Sequence, residues 1–160
     1  MLRPLLAAAF LLAAPAYAQQ ATGFGSIRAD TDAPVEVAAD ALSVNQADGS
    51  AVFNGNVAIA QGEMRLTADS VSVRYAEGDM SRISSLEASG GVTLVSGPDA
   101  AEAEAASYDV ESGTVTLTGD VVLTQGQNVL SAERMVVNLA SGTAQVEGRV
   151  RSVLQPGGSQ

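Results

Sequence analysis

Four carboxylates recur in register along this chain, each following an alanine: Ala39-Asp40, Ala68-Asp69, Ala103-Glu104 and Ala132-Glu133. Paired carboxylates can act as acid and base on a glycosidic bond, and clustered ones can hold calcium. Sugar chemistry needs one special pair, whereas these four are equivalent. Their register suits a polar corner residue that accepts turn N–H groups or faces water. The 160 residues include no His, no Cys and no Trp, which removes a histidine triad, a thiolate metal site and any disulfide. Tyr75 and Tyr108 could rim a binding mouth, but lone tyrosines more commonly pack into a core.

The four pairs imply a repeated scaffold. A glycine follows ten residues after each alanine, at Gly49, Gly78, Gly113 and Gly142. A second, followed at +2 by valine, recurs at Gly55, Gly90, Gly119 and Gly148, and a third at Gly62, Gly97 and Gly126. The alanines are spaced 29, 35 and 29 apart, and the long interval carries a six-residue insertion around "MSRISS", residues 80–85. Residues 39–73 align on 103–137 without a gap, with 11 identities in 35 positions. Four copies of a unit of about 29 residues predict a stacked architecture.

Each unit reads as two strands. Ala51, Phe53, Val57 and Ile59 are apolar with Asn54, Asn56 and Ala60 between them, and Val115, Leu117, Val121 and Leu123 alternate with Thr116, Thr118 and Asp120. That period of two, rich in Val and Thr, marks half-buried strands. Turns fall at Asp48-Gly49, Gly78-Asp79, Ser112-Gly113 and Ser141-Gly142. Eight strands are predicted near 35–46, 50–60, 64–76, 82–95, 99–110, 114–124, 128–139 and 143–153. Leu66 and Ala68 share a phase that Val71 and Val73 reverse, and Leu130 and Ala132 followed by Met135 and Val137 repeat the slip. Such a slip inside a strand predicts a bulge or corner at each Ala–acid pair, eased by the glycines of the partner strand. The result would be a trough with an apolar inside.

The ends and the charge bound the setting. Arg3, the apolar run Leu5 to Ala14, and Ala16-Tyr17-Ala18 have the layout of a cleaved signal peptide over residues 1–18. The ten-residue run is short of the roughly 20 that a membrane span needs. An exported, periplasmic protein is expected. Residues 19–33 read as a flexible linker, 34–154 as the domain, and 155–160 as a disordered tail. Without residues 1–18, seven arginines and no lysine face 18 acidic residues, a net charge of −11 that makes nucleic acid a poor partner.

The stretch "DTDAPVEVAADALSV" and the line "GNVAIAQGEMRLTADSVSV" at 55–73, echoed by "GDVVLTQGQNVLSAERMVV" at 119–137, resemble the LptA/OstA family over about residues 30–153. The resemblance implies an all-β fold: an open, taco-like β-jellyroll of stacked V-shaped antiparallel strands. It implies a periplasmic bridge that carries the lipid A acyl chains of lipopolysaccharide. Its partners would be an inner-membrane LptC-type anchor, an outer-membrane LptD-type receptor and further copies of itself, joined head to tail. No catalytic residue, cofactor or metal is called for.

On this reading the groove is lined by Phe53, Val57, Ile59, Leu66, Val71, Val73, Val92, Leu94, Leu117, Val121, Leu123, Leu130, Met135 and Val137. From alternation alone the same residues could form a closed core. The assembly edges would be the first strand, with Val35, Val37, Leu42 and Val44, and the last, with Val146 and Val150. Such edges present unpaired N–H and C=O groups. Two other classes fit the repeats: a parallel β-helix acting on polysaccharide, and a structural periplasmic filament subunit with a filled interior. Turn glycines spaced 13, 16, 19, 16, 13 and 16 apart favour hairpins over coils.

Overall fold

The computed structural model describes Ile27 and residues 29–156. The expected signal peptide and the last four residues of the expected tail lie outside them. The described residues form strands joined by turns: β1 (Glu36–Ala38), β2 (Ala41–Asn45), β3 (Ser50–Gln61), β4 (Met64–Ala76), β5 (Asp79–Ser96), β6 (Asp99–Asp109), β7 (Thr114–Gln125), β8 (Asn128–Asn138), β9 (Thr143–Glu147) and β10 (Arg151–Val153). All pairings are antiparallel, in the order β1-β3-β4-β5-β6-β7-β8-β10, with β2 also on β3 and β9 also on β8. The molecule is one meandering sheet with two free edges.

The eight expected strands are present, but the first and last are each divided. The ladder breaks at Ala39-Asp40 between β1 and β2, and over residues 148–150 between β9 and β10. At both breaks a backbone bond still spans the corner, from the Asp40 amide to the Gly55 carbonyl and from the Glu133 amide to the Gly148 carbonyl (both 2.9 Å), but an edge strand has a neighbour on one side only to hold its ladder there. The insertion at 80–85 extends β5 to 18 residues, and the excess appears as register shifts opposite Arg74, Tyr75 and Ala76.

Each of the long strands β3 to β8 crosses one corner. The register slips between Asn54 and Val57, Thr67 and Ser70, Ser89 and Val92, Glu102 and Ala105, and Thr118 and Val121. Where the corner crosses β3, β5, β7 and the break between β9 and β10, two successive residues have positive φ: Gly55-Asn56, Gly90-Gly91, Gly119-Asp120 and Gly148-Arg149. Left-handed backbone is costly for most L-residues and mild for Gly, Asn and Asp. The Ala–acid pairs explain why the first residue must be glycine. A Cβ added at Gly55 would lie 2.6 Å from the Asp40 carboxylate, and one at Gly90 2.6 Å from the Asp69 Cβ. Glu104 covers Gly119 and Glu133 covers Gly148 in the same way. The recurring carboxylates fold over bare backbone on the outside of the bend; they do not converge on a site.

The corners divide the sheet into two arms. One arm ends at the turns around 46–49, 77–78, 110–113 and 139–142, the first tip. The other ends at the turns around 62–63, 97–98 and 126–127, the second tip. Inward side chains of both arms share one hydrophobic core.

Candidate functional site

The inside of the bend is an apolar surface running the length of the stack. Of the fourteen residues expected to line it, thirteen are buried and Phe53 is half-buried. Phe53 is less covered because its partner across the first edge is Leu42, itself 55% exposed. The two arms cross with an offset along the stack. Ile59, Met64 and Leu66 from the second arm enclose a small apolar gap together with Leu86, Tyr108 and Val115 from the first. Sheet twist produces this offset, because each strand is rotated relative to the last.

Several residues of this surface were not among those expected. Met64, Leu86, Ala101 and Leu139 are buried in it, as is Tyr108, for which packing was the commoner expectation. Met64 and Leu86 follow the alternation and could have been read from it. Gln61 could not: it is polar, 1% exposed and sits where β3 reaches the second tip. Its carbonyl Oε1 accepts a 2.7 Å hydrogen bond from the Tyr108 hydroxyl. Its Nε2 donates to the carbonyls of Thr31 (3.3 Å) and Ala33 (3.0 Å). Tyr108 stands on the first arm and Gln61 on the second, so this bond ties the arms together across the open side. Residues expected as free linker also lie here: Ile27 is buried and Ala29 packs on the core. Further along the second tip Asp99 is buried and accepts a hydrogen bond from Gln125 Nε2 (3.4 Å).

Burial pushes the Tyr108 phenol above its ordinary range, and the charge of Asp109 adds to this while the bond to Gln61 works against it. A raised folded pKa means that the native state resists losing the proton. The associated stability is whole below the unfolded tyrosine pKa of about 10 and declines as pH rises through the folded value. Tyr108→Phe should therefore cost about 1–2 kcal/mol at pH 7, because Gln61 Oε1 loses its donor in a buried site. The gap between parent and variant should narrow above about pH 10. Urea unfolding at pH 7 and at pH 10.5 checks both; a gap unchanged by pH would show that Tyr108 does not titrate as described.

The two ends of the stack are unequal. At the first edge Val35 and Val37 are partly buried while Leu42 and Val44 are exposed. At the last edge Val146 is partly buried while Val150, Val153 and Leu154 are exposed. Each end thus covers one arm and leaves the other bare, which is the same arm offset seen at the edges. Leu42 and Val44 are in register with Phe53 and Ala51, and through them with buried Val71 and Val73, so the inward apolar rows run out to the open edge.

Among the described residues no group of three or more His, Cys, Asp or Glu could hold a metal ion. The outer surface carries ion pairs from Arg134 to Glu147 (3.2 Å) and from Arg149 to Glu133 (3.3 Å). Both are solvent-exposed and contribute little.

The model of one protein family, described as LptA/(LptD N-terminal domain) LPS transport protein, matches residues 36–143. The chain belongs to this family. The matched window runs from the start of β1 to the start of β9, so it holds nearly all of the LptA-type sheet. Membership places the chain in lipopolysaccharide transport. The fold is also that of a solved structure, LptH from Pseudomonas aeruginosa, described as the LptA homologous periplasmic component of the conserved lipopolysaccharide transport device. The two superimpose with a TM-score of 0.71 at 20% identity, over 80% of this chain and 99% of that one. The architecture is therefore the open LptA-like β-jellyroll. No curated protein matches the chain significantly.

Proposed function

We propose that the chain is a periplasmic carrier that shields lipopolysaccharide acyl chains along its apolar trough and continues that trough by joining like domains at both edges. The observation that carries this is the course of the inward rows. They are buried through the middle of the stack and exposed at its ends, as a segment of a longer conduit would be. The physical need is large. An acyl chain of about 12 CH₂ groups costs roughly 10 kcal/mol to expose to water, at about 0.8 kcal/mol each. An unbroken apolar wall removes that cost at every step, and no reaction is required.

The edges are complementary in hydrogen bonding, each presenting strand groups with no outer neighbour. The first presents Glu36 and Asp40; the last presents Arg151, while Arg149 and Glu147 on that edge already pair with Glu133 and Arg134 of the same copy. If the last strand of one copy adds to the first strand of the next in the register of β3 on β4, Arg151 comes beside Ala38 and diagonal to Glu36 of the next copy. A contact of first edge to last edge is heterologous and leaves one free edge at each end, so it extends the stack into a filament as long as the rotation between copies does not close it into a ring. On this reading an LptC-type anchor at the inner membrane takes the first edge and an LptD-type receptor takes the last.

Photo-crosslinking tests the lining. A photoreactive residue at Phe53, Ile59, Leu117 or Leu123 should capture lipopolysaccharide in cells, whereas one at Asn54 or Thr116, on the opposite face, should not. Equal capture from both faces would sink the assignment.

A further inference from the structure

We propose that residues 29–33, together with Ile27, form a strap across the open side of the trough, latched by Gln61 and Tyr108, and that incoming acyl chains displace it. This rests on the transport reading above. The strap touches both tips. At the first tip the Ala29 amide donates to the Leu139 carbonyl (3.3 Å), and Leu139 in turn donates to the Gly113 carbonyl (2.8 Å). At the second tip Gln61 Nε2 donates to the carbonyls of Thr31 and Ala33 (3.3 and 3.0 Å). Five residues therefore bridge the two arms before the chain enters β1.

The turn glycines bear the mark of this contact. A Cβ at Gly113 would lie 3.3 Å from Thr31 Cγ2, and one at Gly62 would lie 3.2 Å from the Asp30 Cβ. The corresponding glycines at 78, 97 and 126 would meet nothing within 4 Å. All five need glycine for positive φ, but only Gly62 and Gly113 lie under the strap.

The strap is held lightly and occupies lipid space. It forms no strand and is joined by individual hydrogen bonds, three of which run through or to the single side chain of Gln61 if the Tyr108 latch is included. Ile27 is 3% exposed and belongs to the same core as the trough residues. An acyl chain entering beneath the strap would take over the apolar contacts of Ile27, while the freed carbonyls of Thr31 and Ala33 would turn to water. The Gln61–Tyr108 bond closes the arms where the strap lies, so the same event must part the arms. Side-on loading through the mouth, in addition to passage along the stack, then becomes possible.

The chain has no cysteine, so Thr31→Cys with Gly113→Cys gives one defined disulfide across the first tip. Uptake of fluorescently labelled lipopolysaccharide by the oxidised form should be at least tenfold slower than by the reduced form, and reductant should restore it. Equal uptake, with the disulfide confirmed by mass, overturns the strap. Because Gly113→Cys introduces a side chain at φ +65°, hydrogen exchange on the unmodified protein provides a second reading. The segment 29–33 should lose protection when lipopolysaccharide binds while β4 to β7 keep theirs. Retained protection of 29–33 in the loaded protein also overturns the strap. Failure of the unmodified protein to bind lipopolysaccharide at all is a separate outcome: it overturns the transport reading, and the strap with it.

Discussion

Gly119→Ala should destabilise the protein by about 3 kcal/mol, while Gly126→Ala should cost only about 1 kcal/mol. Both glycines have positive φ, +82° and +59°, so both substitutions carry the conformational penalty of a left-handed L-residue. They differ in what a methyl group meets. At Gly126 there is nothing within 4 Å. At Gly119 a Cβ would lie 2.7 Å from the Cβ and 2.8 Å from the Cδ of Glu104, with a carboxylate oxygen closer still. Glu104 can swing its carboxylate away but not its Cβ, so the backbone of the corner must open. The difference of about 2 kcal/mol corresponds to several degrees in melting temperature for a domain of this size. Glu104→Ala should not rescue Gly119→Ala, because the offending Cβ remains; Glu104→Gly should recover part of the loss. Equal costs at 119 and 126 would show that the carboxylates do not shape the corners.

Ser152→Pro should weaken self-association at least tenfold and leave the fold nearly intact. The two faces of the last strand can be told apart. The Gln155 amide donates to Asn128 Oδ1 (3.0 Å), on the β8 side. Amides two residues apart in an extended strand point the same way. Val153 and Arg151 therefore direct their N–H groups toward β8, and Ser152 directs its N–H outward. β10 pairs with β8 through Arg151–Ser131, Ser152–Leu130 and Val153–Val129. Proline at 152 deletes an outward donor and places its ring where the first strand of another copy would lie. Val153→Pro deletes a donor to β8 instead and should loosen β10 itself. Sedimentation velocity separates the outcomes, with thermal melting as the control on folding. A Ser152→Pro protein that melts and associates like the parent would mean that this edge is not the junction. A block in lipopolysaccharide transport in cells should accompany the loss of association.

The two expected results draw on different kinds of information. The period of two, the glycines at turns and the parity slip at each Ala–acid pair are local properties. Eight strands, their faces and their corners could therefore be read without coordinates, as could thirteen of the fourteen inward residues now found buried. Backbone preference and alternation act over two to ten residues, which is the range over which a single chain reports on itself. The carboxylates show where that range ends. Their register was plain, but their role was not, because each acts on a glycine 15 or 21 residues away that only strand pairing brings beneath it.

What tertiary structure alone decided arises from the twist of the sheet. Twist sets the second arm of β3 over the first arm of β6, so Gln61 meets Tyr108 across 47 residues of sequence. It leaves Leu42 and Val44 bare at one end and Val150 and Leu154 at the other, although the same alternation had placed Val35, Val37 and Val146 at the edges too. It also creates the space that receives Ile27, which lies in a stretch with no period to announce it. Each of these depends on small rotations summed over several strands, a quantity that the spacing of side chains along the chain does not encode.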